Sequence, residues 1–145
     1  MSSRKIRVAI VGCGNIANRY ADRIKTYAAC ELVGFSDLDP ARAKDFAAKY
    51  GGKAYGSLTE LLADPSIELV VNLTIHFAHY EVIQQCLLAG KHVYTEKPLA
   101  VRYAEARELV ELAAARKLRL GSAPITYMGE AQQTAWNVLR GGKAG

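Results

Sequence analysis

Val11-Gly12-Cys13-Gly14-Asn15-Ile16-Ala17 is the stretch on which the fold turns. It follows residues 5–11 (KIRVAIV), an apolar run ending in β-branched residues that reads as a strand. It leads into residues 15–28, where Ile16, Ala17, Tyr20, Ile24 and Tyr27 recur at helical spacing. Gly12, Gly14 and Ala17 fit G-x-G-x-x-(G/A) between that strand and that helix. The first glycine permits a tight turn and the second lets main chain approach a diphosphate. The small third residue lets helix and strand pack closely. A helix starting here aims unpaired N–H groups and the positive end of its dipole at an anion. Asp37 lies 25 positions beyond Gly12, at the end of the next strand. A carboxylate there accepts both hydroxyls of an adenosine ribose and repels a 2′-phosphate. Leu38 and Asp39 follow it without an adjacent cation, so NAD is expected over NADP, with Arg42 the one cation that could swing over. Cys13 is read as a small filler of the loop rather than a nucleophile.

Outward from this turn, strands are expected at 31–36, 53–55, 69–73, 92–95 and 118–120. Helices are expected at 40–50, from Leu58, at 79–88, 102–116 and 129–140. Asp39-Pro40 supplies an N-cap and a proline at the first helical position. Ser57-Leu58-Thr59-Glu60 reads as a capping box, and Gly51-Gly52 and Gly90 end helices. In the 102–116 helix, Leu109, Val110, Leu112 and Ala113 are placed inward. Strands alternating with helices predict an α/β fold: a Rossmann-type doubly wound parallel sheet of about six strands with helices on both faces. Residues 1–124 form the expected dinucleotide-binding domain. Residues 125–145 are more polar, break the alternation, and read as an exit helix and the start of a second domain.

The 145 residues suffice for one domain, and an apolar half of the chain excludes a disordered one. No apolar run approaches the roughly 18–20 residues of a membrane span. The net charge of +5 is modest. Its basic clusters, Arg4-Lys5-Arg7 and Arg116-Lys117-Arg119, are not interleaved with aromatics, so neither membrane nor nucleic acid is an expected partner. Cys13, Cys30 and Cys86 are odd in number and form no Cys-x-x-Cys pair. A disulfide framework and a zinc site are therefore not expected, no metal ligands are assigned, and a cytoplasmic location is.

Ligands of open parallel sheets sit beyond the carboxyl ends of the strands. The segments 74–79 and 95–98 follow the fourth and fifth strands. A lysine at such an end, Lys97, can stabilise charge on a substrate oxygen. Glu96 beside it is placed to orient it, and Pro98 fixes the turn, with a cis bond as one option. His76 and His92 are read as structural or exposed.

Gly90-Lys91-His92-Val93-Tyr94-Thr95-Glu96-Lys97-Pro98-Leu99-Ala100 resembles the GKHV…EKP block of the glucose–fructose oxidoreductase, inositol dehydrogenase and rhizopine-catabolism (Gfo/Idh/MocA) family. Val8–Gly14, Phe35–Pro40 and the 70–81 segment are also similar to that family, so the resemblance runs from residue 5 to 145. It implies that Gly12, Gly14, Asn15 and Ile16 line a pyrophosphate and that Asp37 holds the adenosine ribose. Thr74 and His79 would border the cofactor toward the nicotinamide. Glu96 and Lys97 would sit by the nicotinamide ribose, with Lys97 also reaching substrate as the catalytic residue. Ile75 and His76 stand where the family usually has Pro and Asn, so the shape of that loop departs from the pattern. Members are more than twice as long, with a second domain that supplies the substrate pocket and the dimer surface.

The implied activity is hydride transfer between nicotinamide and a sugar- or polyol-like substrate. This chain is the expected NAD(P)-binding half, weak in NAD binding and inactive by itself, and a full-length form is an expected homo-oligomer. The alternative is a non-catalytic dinucleotide-binding module that senses redox state. A methyltransferase-like sheet is disfavoured because Val8 to Val11 offers no acid ahead of the glycines.

Overall fold

The computed structural model describes residues 4–124 and 128–142. Its six strands are all parallel, in the order β3-β2-β1-β4-β5-β6. They are β1 (Ile6–Val11), β2 (Cys30–Ser36), β3 (Lys53–Tyr55), β4 (Leu69–Asn72), β5 (His92–Thr95) and β6 (Leu120–Ser122). Helices α1 (Ala17–Thr26), α2 (Pro40–Tyr50), α3 (Leu58–Ala63), α4 (His79–Leu88), α5 (Tyr103–Ala115) and α6 (Glu130–Arg140) complete the described chain.

Side chains alternate across a strand, and β1 uses both faces. Val8 and Ile10 join Ala17, Ala21, Phe35, Phe46, Tyr50 and Val71 in the core beneath α1 and α2. Ala9 and Val11 join Leu61, Val70, Ile83, Leu87, Val93 and Leu109 beneath α3, α4 and α5. A central strand covered on both sides has to be apolar at every position, which is why the run Val8–Val11 carries no polar residue. The expected fold class is the observed one.

Local departures have local causes. The sixth strand starts two residues later than expected. Lys117 takes a left-handed φ of 57° and the Leu118 amide closes onto Ala113 O, so Leu118 packs under α5 instead of entering the sheet. Val110 is 54% exposed, not inward, because the buried stripe of α5 runs through Leu109, Leu112 and Ala113. Ile16 and Tyr27 fall outside α1, and both are exposed. The capping box of α3 is half formed: Ser57 Oγ accepts from the Glu60 amide, but the Glu60 carboxylate accepts from Gly56 N–H. Of the expected exit segment, residues 125–127 and 143–145 lie outside the described residues. Within 128–142 the chain forms α6, whose residues are all exposed. Among the described residues no helix is long and apolar enough to cross a membrane.

Candidate functional site

Between β1 and β4 the chain connections diverge to opposite faces, and the carboxyl ends of the strands open into a crevice. Gly12 stands at its base with φ +94°, and its N–H donates to Ser36 O at 2.9 Å. A Cβ there would lie 2.6–2.7 Å from Leu73 C, Leu73 O and Thr74 N, so the end of β4 packs flush against the turn. Gly14 is the opposite case, since a Cβ there meets nothing within 4 Å and faces open space. Among the described residues nothing accepts from the N–H groups of Gly14, Asn15 or Ile16. The helix α1 has no side-chain cap and no acid in its first turn, so these amides and the helix dipole are left for an outside anion. Free amides beside open space fit the diphosphate of a dinucleotide.

Asp37 is already engaged within the chain. Its Oδ2 accepts from Cys13 N–H at 2.6 Å and its Oδ1 from Asp39 N–H at 2.9 Å. The carboxylate therefore ties the glycine turn to the end of β2, with its remaining lone pairs partly exposed. Arg42 lies near but pairs with Asp39, Nε to Oδ2 at 3.7 Å. Cys13 is buried, and its thiol is pushed up to about 12, by burial first and then by the Asp37 charge, against a smaller opposing effect of Arg42. A thiol so held is a packing group. At pH 8 it is expected to resist iodoacetamide in the folded protein and to react once unfolded. Mass spectrometry finding native Cys13 alkylated as fast as a free cysteine would rule this out.

Toward β5 the crevice widens into a cleft of about 460 Å³ lined by Ile16, Thr74, Ile75, Phe77, Glu96 and Lys97, among others. Its floor is pinned by Asn72, fully buried at the end of β4, which donates to Thr95 Oγ1 (3.2 Å) and accepts from the Thr74 hydroxyl (2.7 Å). His79 is 1% exposed and belongs to the wall. Its ring nitrogens face Pro98 O at 2.6 Å and Thr74 O at 3.1 Å, so it bridges the two loops rather than reaching into the cleft. Ile75 and His76 lead into one turn of 3-10 helix, His76–Ala78. That turn leaves Ile75 and Phe77 68% and 71% exposed at the lip, with the His76 and Phe77 rings 4.0 Å apart.

The Lys97–Pro98 bond is cis. The Lys97 ammonium is exposed and has no partner among the described residues. Glu96 does not orient it, contrary to expectation. Glu96 Oε1 accepts from Tyr20 O–H at 2.6 Å and Oε2 from the Lys97 main-chain N–H at 3.1 Å. Tyr20 and Asn72 are the site residues that sequence reasoning missed. Tyr20 carried only a helical-spacing signal, and the polar end of β4 carried none.

A doubly wound parallel sheet with an amide cradle at its switch point and a carboxylate ending β2 defines a dinucleotide-binding domain. The chain belongs to the Gfo/Idh/MocA oxidoreductase family, whose NAD-binding Rossmann-fold profile matches residues 6–123. It is similar to human trans-1,2-dihydrobenzene-1,2-diol dehydrogenase, 38% identical over 143 residues, covering 97% of this chain and 43% of that protein. The chain thus spans less than half the length of this relative. Among solved structures, it is similar to a 3-ketoreductase from Actinomadura kijaniata in complex with NADP and TDP-benzene (TM-score 0.86, 28% identity, 96% of this chain and 43% of that one). GenD2 from gentamicin A biosynthesis, in complex with NAD, gives a TM-score of 0.81 at 28% identity, over 85% of this chain and 35% of that one.

Proposed function

We propose that this chain is the cofactor half of an NAD-dependent oxidoreductase acting on a small sugar, polyol or ring diol. Residues 1–124 form that half and 125–145 lead toward a substrate-binding domain. The observation that carries this reading is that one crevice brings together, among the described residues, the groups a dinucleotide needs. It holds three free amides at Gly14, Asn15 and Ile16, the Asp37 carboxylate to one side, and the unpaired Lys97 ammonium to the other.

A bound nicotinamide supplies or takes up the hydride. The amides hold the diphosphate and Asp37 accepts the adenosine ribose hydroxyls. Thr74 and Glu96 border the nicotinamide ribose, with His79 supporting the wall behind them. Lys97 hydrogen-bonds the substrate oxygen and stabilises the negative charge it carries between hydroxyl and carbonyl, while an acid–base group of the substrate domain takes up or returns the hydroxyl proton. Ile75 and Phe77 give the lip an apolar surface beside that cation, which suits a ring with one apolar face and a hydroxyl. The human relative is named for such a diol. A redox sensor without chemistry would have no use for a free ammonium at this end, so the enzymatic reading is preferred.

Calorimetric titration of the chain with NAD and with NADP tests the cofactor assignment. NAD is expected to bind more tightly; no binding of either would remove the reading. In a form where a substrate domain completes the cleft, Lys97→Ala is expected to lower turnover of a vicinal diol by about 10²–10³, the size of losing one oxyanion-stabilising donor. Its NAD affinity should move far less. An unchanged kcat would take Lys97 out of the chemistry.

A further inference from the structure

We infer that Tyr20 is a positioning residue for the nicotinamide end of the cleft, acting through Glu96. This rests on the proposed placement of Glu96 and Lys97 at that end.

Tyr20 sits on α1, one turn beyond the amide cradle, and its N–H bonds back to Ile16 O at 3.3 Å. Its ring lies against Tyr94 of β5, centroids 6.2 Å apart. From there its hydroxyl crosses the switch point to donate to Glu96 Oε1 at 2.6 Å. Burial above all, and then this bond, push the phenol above its ordinary range, so Tyr20 remains a donor and does not serve as a base. A phenol–carboxylate hydrogen bond is short and charge-assisted, stronger than a neutral pair. With Oε2 already accepting from the Lys97 main-chain amide, the Glu96 carboxylate is held at both oxygens.

The consequence lies in what Glu96 is prevented from doing. It is the nearest carboxylate in sequence to the Lys97 ammonium. An untethered glutamate beside a free lysine forms an ion pair, which would neutralise the cation and withdraw an acceptor from the cleft. Tyr20 keeps both groups available. It also joins α1, which holds the cradle, to the turn after β5, so the two ends of the crevice keep a fixed spacing.

The test compares NAD with ADP, which has the adenosine and diphosphate but no nicotinamide riboside. Both are titrated against the wild-type chain, Tyr20→Phe, Glu96→Ala and the double variant. Tyr20→Phe keeps the ring against Tyr94, and thermal melting reports whether the fold is retained. Tyr20→Phe is expected to weaken NAD about fivefold, the size of one net hydrogen bond, and to leave ADP within about twofold. In the Glu96→Ala background the same substitution should have no further effect on NAD. Equal losses for NAD and ADP would make Tyr20 a scaffold residue and overturn the inference, as would additive effects of the two substitutions. Loss of NAD affinity in Glu96→Ala but not in Tyr20→Phe would sink the Tyr20 role alone. If neither variant changes NAD binding, the placement of Glu96 itself fails, and the role of Tyr20 with it.

Discussion

Gly12→Ala is expected to destabilise the fold by about 3 kcal/mol or more, the range of severe packing and backbone substitutions. Two independent effects add. At φ +94° an L-residue is strained whatever the space around it. The new Cβ would also meet Leu73 C, Leu73 O and Thr74 N at 2.6–2.7 Å, and these main-chain atoms cannot rotate aside. Relief requires β4 to move away from β1, which would stretch the Leu73 N–H to Val11 O bond of 2.7 Å. A fall in melting temperature of roughly 10 °C is the expected reading for a domain of this size. Gly14→Ala is the internal control. Its Cβ meets no protein atom, so the melting temperature should stay near that of wild type while NAD affinity falls. A Gly12→Ala protein that melts like wild type would mean the turn and β4 are not in contact. A Gly14→Ala protein with full affinity would remove the diphosphate from this loop.

The second large effect concerns coenzyme choice. Asp37→Ala is expected to weaken NAD by about 10–100-fold, corresponding to hydrogen bonds to a charged group worth about 1.5–3 kcal/mol. NADP should be weakened less, because the same substitution lifts the repulsion of the 2′-phosphate, and the gap between coenzymes narrows. Part of the loss is indirect, since Cys13 N–H and Asp39 N–H lose their acceptor. Asp37→Asn separates the contributions: its single amide oxygen can replace one of those bonds but carries no charge. Competitive titrations of both coenzymes against the three proteins read the result directly. Equal affinity of the wild type for NAD and NADP would cancel the ribose assignment.

Much of this was legible in the residues. The glycine turn announces itself because no side chain fits at Gly12, and Asp37 because it follows a strand at a fixed distance. Helix and strand order came from periodicity, which reports which face of an element is apolar. Periodicity does not report partners, and that is where reading stopped. Tyr20 and Glu96 are 76 positions apart and meet only because the Tyr20 side chain reaches from α1 to Tyr94 and the end of β5. His79 and Pro98 are 19 apart, and nothing local indicates that the imidazole turns inward to bridge two carbonyls. Val110 shows the same limit at short range, because an apolar residue beside a buried stripe is indistinguishable from a member of it until the helix is oriented.

The grip of Asp37 on the Cys13 amide has one more consequence. On the proposed assignment, the chain's own hydrogen bonds already hold the ribose seat, so binding there is expected to surrender little flexibility. On the proposed ribose assignment, recognition at this end works less by moulding than by sign: a neutral diol is expected in the seat beside a fixed negative group, and a phosphorylated one is expected to be turned away.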